Sequence, residues 1–204
     1  MEFRELVNRR RMVRSFAETP VSREVLLRVL EVARHAPSAG FSQGFDFVVL
    51  DQPHQIKRFI EMTEHPEFPN EPGEFEHPPA CIVLPIANKP AYLERYSRPD
   101  KERFGLQKAE AWPVPWWDVD TGMAIMLVLL AALEEGLGAW LWGIFWGERE
   151  VMRDLGVPEG CRPIGVIGIG HPFAEDTFDP SRFTHRRRAL ESMVHFGSWS
   201  GEQA

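Results

Sequence analysis

Between positions 118 and 135 the chain reads DVDTGMAIMLVLLAALEE, and from 123 to 133 every residue is apolar. A helix that is apolar on all sides has to be buried on all sides. The run is roughly half as long as a membrane span, so the expectation is a core helix and no membrane. The whole chain has 204 residues, about the size of one domain. One way for so small a protein to cover every face of such a helix is to lay a second subunit over part of it.

Around this helix the hydrophobic pattern switches between helical and extended periods. Residues 2–11 place Phe3, Leu6 and Val7 at helical spacing with arginines opposite, which predicts a short amphipathic helix ending before Val13. Ser22 is a candidate N-cap for a helix whose apolar stripe covers 25–34, and Pro37 closes it. Residues 45–50 read as a strand, 53–62 as a helix, and 81–86 as an apolar strand in which Pro85 marks an end or an edge position. Further on, 139–142 is strand-like, 148–155 helical, 164–169 a strong strand and 193–196 a short one. The acidic, Pro-rich stretch 64–79 reads as a surface loop and 88–117 has no usable period. A single domain over 1–204 is therefore expected, with a variable lid or insertion at about 62–117. Six of the seven tryptophans lie between 112 and 146, so this part meets something large and flat or buries much area, and Trp112, Trp116 and Trp117 are candidates for a substrate wall. The elements lack a tight βαβ rhythm, and Gly168-Ile169-Gly170 lacks the third glycine of a dinucleotide fingerprint. The fold class expected is a layered α+β domain.

Thirty acidic against 23 basic residues give a formal charge of −7, which argues against nucleic acid as a partner. The charge is uneven. Five arginines lie in the first 14 positions, four in 182–188, and six glutamates between 61 and 76. Arginine suits planar, bidentate recognition of a phosphate, and Arg10 and Arg14, four apart, would reach one ligand from a helix end. Two arginine clusters in an acidic protein fit a small anionic ligand better than a polyanion. The loop PSAGFSQ at 37–43 is a second candidate, since small residues let the backbone approach a flat ligand and Ser38, Ser42 and Gln43 offer hydrogen-bonding groups. Neither G-x-S-x-G nor H-E-x-x-H occurs and the seven histidines are scattered, so no hydrolytic constellation and no metal site is expected. Cys81 and Cys161 match neither a metal spacing nor a disulfide framework and read as reduced thiols. Residues 1–11 contain no apolar signal-peptide region, and the expected location is the cytoplasm.

Several blocks then add up in order: RRMVRSF at 10–16, PVSREVLLRVLEVARHAPSAG at 20–40, EEGLGAWLWG at 134–143, IGVIGIGHP at 164–172 and RRRALESMV at 186–194. With 52–110 the poorly matched part, the chain resembles the FMN-dependent nitroreductase family. The resemblance implies a three-layer α/β/α fold with a mixed, mostly antiparallel sheet, an intertwined homodimer, and FMN at the subunit interface. It implies Arg10 and Arg11 near the FMN phosphate and Arg14 at the pyrimidine edge, where a guanidinium stabilises the anion of the reduced ring. It further implies Pro37, Ser38, Ala39 and Gly40, with Gln43, donated by the other subunit. Backbone at Trp142 and Gly143 would face flavin N5, and a late basic pair falls on Arg187 and Arg188, with Arg186 as the one-position alternative. Met12 stands where many members have Ser, and Phe41 where most have Asn, so polar contacts to the flavin are replaced. The activity implied is ping-pong hydride transfer from NAD(P)H through flavin N5 to a small electron-poor acceptor, a nitroaromatic or a quinone. The alternatives are a flavin-sequestering protein with little turnover, a deazaflavin-dependent relative, and a flavin-fragmenting relative, against which the absence of an acidic residue at Met12 counts.

Overall fold

The computed structural model describes residues 2–65, 67, 76–173 and 186–199. In chain order these form α1 (Phe3–Arg9), α2 (Arg23–Ala33), β1 (Phe45–Leu50), α3 (Pro53–Thr63), β2 (Cys81–Asn88), α4 (Lys89–Tyr96), α5 (Pro99–Glu102), α6 (Trp116–Glu134), β3 (Gly138–Trp142), α7 (Glu148–Asp154), β4 (Cys161–Pro163) and β5 (Val166–Gly170). Short 3₁₀ turns occupy Ala39–Phe41, Ala109–Ala111 and Leu190–Ser192. Local chemistry explains the helix starts. The Ser22 hydroxyl accepts from the Val25 amide at 3.3 Å, Gln52 and Gln55 cap α3 reciprocally ahead of Pro53, and Asn88 Oδ1 accepts from the Ala91 amide at 3.1 Å. The centre of the acidic stretch at 61–76 lies outside the described residues.

The sheet order is β1-β2-β5-β3, with β4 pairing the far end of β2. Every ladder among the described residues is antiparallel, so over these residues the expected mixed sheet is wholly antiparallel. Pro85 is neither at a strand end nor on an edge. It sits inside the central strand, paired with Phe47 of β1. On its other side β2 changes partner, from β5 at residues 81–83 to β4 at 86–88. Ile164, in the link between those two strands, donates its amide to the Pro85 carbonyl at 3.0 Å. The missing N–H falls where no regular ladder bond is called for. The same break shortens the expected strand at 164–169, which begins only at Val166.

Period-two alternation distributes the core over two faces. Cys81 and Val83 of β2 and Ile167 and Ile169 of β5 pack with Leu26, Val29 and Ala33 of α2 and with Ile125, Val128, Leu129 and Ala132 of α6. Ile82, Leu84, Ile86 and Val166 face the other way, onto Ile56 and Phe59 of α3 and Val151 and Met152 of α7. The three layers expected are present. α6 has the length and hydropathy of a membrane span, but ten of its residues, from Trp117 to Ala132, are buried in the protein. The stripe Trp116, Val119, Gly122 and Met126 stays exposed.

On the second face β5 presents Gly168 and Gly170 instead of branched side chains. A Cβ on Gly168 would lie 2.9 Å from Pro79 and 3.0 Å from the Trp142 ring, and one on Gly170 2.9 Å from Phe16. The glycine pair at the end of GVIGIGHP is thus a trough that lets Phe16, Pro79 and Trp142 lie against the strand, and not part of a nucleotide loop.

Three further expectations are corrected. α1 stops at Arg9, so Arg10 and Arg14 sit on extended chain and do not share a helix face. Residues 193–196 form no continuous strand: a 3₁₀ turn precedes them, and only His195 makes an isolated β-bridge. Trp112 and Trp117 are not a substrate wall. They are buried with Tyr92 and Tyr96 in an edge-to-face cluster with ring centroids 4.7 to 6.1 Å apart, and Trp112 Nε1 donates to the Leu106 carbonyl at 2.8 Å. This cluster is the core of the segment 88–117, whose pattern is irregular because its elements are only three to eight residues long. Cys81 and Cys161 are both free thiols, and burial pushes the Cys81 thiol up to about 12, which makes it inert at neutral pH.

Gly170→Ala would drive a methyl into Phe16 and should cost about 1–3 kcal/mol in urea unfolding; an unchanged midpoint would mean the Phe16 ring yields freely. A second outcome concerns Asp51, at the end of β1, which pairs with Arg23 at the start of α2. The Arg23 guanidinium holds the Asp51 carboxylate at about 2, below its ordinary 3.8. Because the folded value is the lower one, the pair's stabilisation is present above about pH 4 and disappears as pH falls toward 2. Asp51→Asn should flatten that part of the stability profile, followed by unfolding at pH 2 to 5.

Candidate active site

The N-terminal arginines lie along the outer edge of the sheet, beside β3. The Val13 amide donates to the Ala139 carbonyl at 2.9 Å, and the Leu141 amide donates to the Met12 sulfur at 3.5 Å. Met12 therefore turns inward, packing against the core, and offers nothing polar outward. The Arg14 guanidinium carbon stands 5.6 Å from the Trp140 ring centroid, and Trp140 lies 4.6 Å from Trp142. Arg10 and Arg11 are half-buried. Nη1 of Arg10 is buried and has no hydrogen-bond partner among the described residues. A buried, charged donor left unpaired is costly. An anion at this position relieves that cost, and a phosphate matches the guanidinium fork. At the end of β3, Gly143 sits beside the exposed Phe145 ring, 3.2 Å from where its Cβ would be. Arg10, Arg11, Arg14, Trp142 and Gly143 thus form one strip on this edge of the sheet.

The loop 37–43 is built elsewhere, on α4 and α6. Its Ala39 amide donates to Asp120 Oδ2 at 2.7 Å, and the Tyr92 hydroxyl donates to the same oxygen at 2.6 Å. Asp120 is 1% exposed. Burial, and after it the Asp120 carboxylate, raises the Tyr92 phenol above its ordinary range, so Tyr92 stays a donor at any physiological pH. Arg95, gripped by Asp100, donates Nε to the Gly40 carbonyl at 2.9 Å. Gly40 has φ +61 and lies so close to Tyr96 that a Cβ would be 2.8 Å from the ring. Within the loop the Gln43 amide donates to the Ser38 hydroxyl at 2.8 Å, and the Ser42 hydroxyl donates to the Ala39 carbonyl at 2.6 Å. Both hydroxyls are thereby committed to the loop's own shape. Pro37 and Gln43 are exposed, and Ser38, Ala39 and Gly40 half-buried.

Arg186, Arg187 and Arg188 are exposed on the segment beyond residue 185; Arg188 bonds the Ser192 carbonyl. Sequence reasoning missed the anchors Tyr92, Arg95 and Asp120. For Asp120 a signal existed: of the two carboxylates in the opening turns of α6, Asp118 and Asp120, it lies too far along to act as a cap.

The sequence matches the profile of the Nitroreductase family over residues 7–171. A protein of Archaeoglobus fulgidus provisionally named NADH dehydrogenase/NAD(P)H nitroreductase is 26% identical over 195 residues, 90% of this chain and 97% of that one. A nitroreductase family protein of Streptococcus pneumoniae superposes with a TM-score of 0.74 at 17% identity, over 95% of this chain and 99% of that one. An FMN-dependent nitroreductase of Clostridium difficile R20291 gives a TM-score of 0.64 at 20% identity, over 95% and 98%.

Asp120→Ala strands the Tyr92 hydroxyl and the Ala39 amide, at a cost of about 2–4 kcal/mol, whereas Tyr92→Phe removes one donor and should cost about 1 kcal/mol. In both variants amide exchange at residues 39–43 should quicken; retained protection there would show that the loop holds without this carboxylate.

Proposed function

The chain belongs to the Nitroreductase family, and from that premise we propose that it is a homodimeric FMN oxidoreductase passing electrons from NAD(P)H to a small electron-poor aromatic or quinone-like acceptor. The observation that carries this reading is the buried, unpartnered Nη1 of Arg10. FMN held by these residues would supply the chemistry of hydride transfer between NAD(P)H and the acceptor. The protein's task is to bind, orient and tune.

In this reading Arg10 and Arg11 hold the phosphate, and Arg14, steadied over Trp140, supplies positive charge at the pyrimidine edge. The backbone at Trp142 and Gly143 borders the reacting edge. Met12, turned into the core, leaves the phosphate to the arginines alone. The loop 37–40, with Gln43, closes the site from the second subunit, and Arg187 and Arg188, or Arg186, add to the phosphate charge.

The homodimer has its own support. An exposed apolar stripe runs along α6 from Trp116 to Met126, α1 beside it exposes Phe3 and Val7, 71% and 38%, and Leu190, Met193, Phe196 and Trp199 are exposed elsewhere in the chain. Apolar surface of this extent is typical of an interface between subunits.

The purified protein should show a flavin visible spectrum or take up added FMN, and anaerobic NADH or NADPH should bleach it. Arg10→Ala should weaken FMN by about 10- to 100-fold, the worth of one charged hydrogen bond, while riboflavin, which lacks the phosphate, is held as before. A wild type that binds riboflavin as tightly as FMN would refute the phosphate assignment, and no flavin binding at all would refute the function.

A further inference from the structure

Phe41 is held in a conformation that its own side chain disfavours. Its φ is +54, in the left-handed region that glycine and asparagine enter readily and a bulky aromatic does not. The loop imposes it. The Phe41 amide donates to the Ser38 carbonyl at 2.9 Å, and the residues on either side are fixed by Arg95 on the Gly40 carbonyl and by the Ser42 hydroxyl on Ala39. The phenyl ring gains nothing in return from the chain's own packing, because the residue is 75% exposed. Strain of this kind persists where the surrounding structure over-determines it, and it clusters at active sites and ligand clamps.

Resting on the function proposed above, we propose that Phe41 is a specificity-determining residue: the flat apolar face on which the aromatic acceptor stacks, presented across the interface to the flavin site of the other subunit. The hydrogen-bonding backbone of the loop lies at Ser38, Ala39 and Gly40, one step earlier. A phenyl ring adds no donor or acceptor for the polar edge of a flavin. What it offers is a π-face, which selects planar, electron-poor rings. The anchoring through Arg95 and Asp120 fixes the orientation of that face, so stacking needs little further ordering of the loop.

The test compares wild type with Phe41→Asn and Phe41→Tyr. Asparagine tolerates the left-handed backbone, so Phe41→Asn should raise the midpoint of thermal unfolding by a few degrees while FMN is bound at least as tightly as by the wild type. With NADPH as donor, the ratio of kcat/KM for menadione, which stacks, to that for ferricyanide, which does not, should fall about tenfold through KM for menadione. Phe41→Tyr should restore it. An unchanged ratio in a flavin-loaded variant overturns the proposal, as does a tenfold loss of FMN affinity, which would make Phe41 a flavin contact. Dissociation of the Phe41→Asn variant to monomers in sedimentation also overturns it, since the ring would then be packing against a second copy. A wild type that binds no FMN refutes the underlying function instead, and the flavin spectrum of the wild type tells these failures apart.

Discussion

The strand β2 is buried along seven consecutive residues, Cys81 to Ala87, and the rest of the architecture answers to that. A strand with apolar side chains on both faces needs a helical layer on each side. α2 and α6 supply one layer and α3 and α7 the other. The strand also carries a proline at its centre, so it cannot pair continuously with one neighbour on that side, and β4 and β5 divide the work. The edge left over, β3, receives the arginine-bearing N-terminal segment through Val13. The position of the candidate phosphate site thus follows from how the core strand is satisfied.

A second constraint acts through Asp120. A carboxylate 1% exposed inside an apolar helix would be hard to accommodate without donors. It finds them in Tyr92 and in the Ala39 backbone, and so ties α6, α4 and the loop after α2 into one unit. This is a pairing of three segments 28 and 81 positions apart, stiff enough to hold the left-handed backbone at Gly40, Phe41 and Gln43.

Much of this was legible in the sequence where short-range physics decides. The Ser22 cap, Pro53 at a helix start, the alternation in β1 and the uniform apolarity of α6 each have a local cause, and each leaves a local pattern. The arginines at 10–14 were visible as a cluster, but their geometry was misread, because an amphipathic period that runs to 11 does not say that the last turn forms. Pro85 and residues 164–165 escaped because partner exchange in a sheet is set by strands dozens of positions away. Of the two roles left open for the tryptophan-rich part, Trp112 and Trp117 take burial: their aromatic partners lie on α4, and nothing in the sequence around them marks that packing. Nor does the sequence alone show that Met12 turns inward or that Phe41 has positive φ.

The attachment of the N-terminal segment has a consequence for the order in which the protein assembles. Residues 13–17 bond to Ala139, His77 and His171, and the Phe173 amide returns to Ser15. These contacts close loops of up to about 160 residues, and such closures form late in folding. Arg10 to Arg14 precede their docking surface by more than a hundred residues, and that surface does not exist until β3 and β5 have paired. The seat of the arginine strip is therefore completed only by long-range pairing, and an ordered strip is a marker of finished folding.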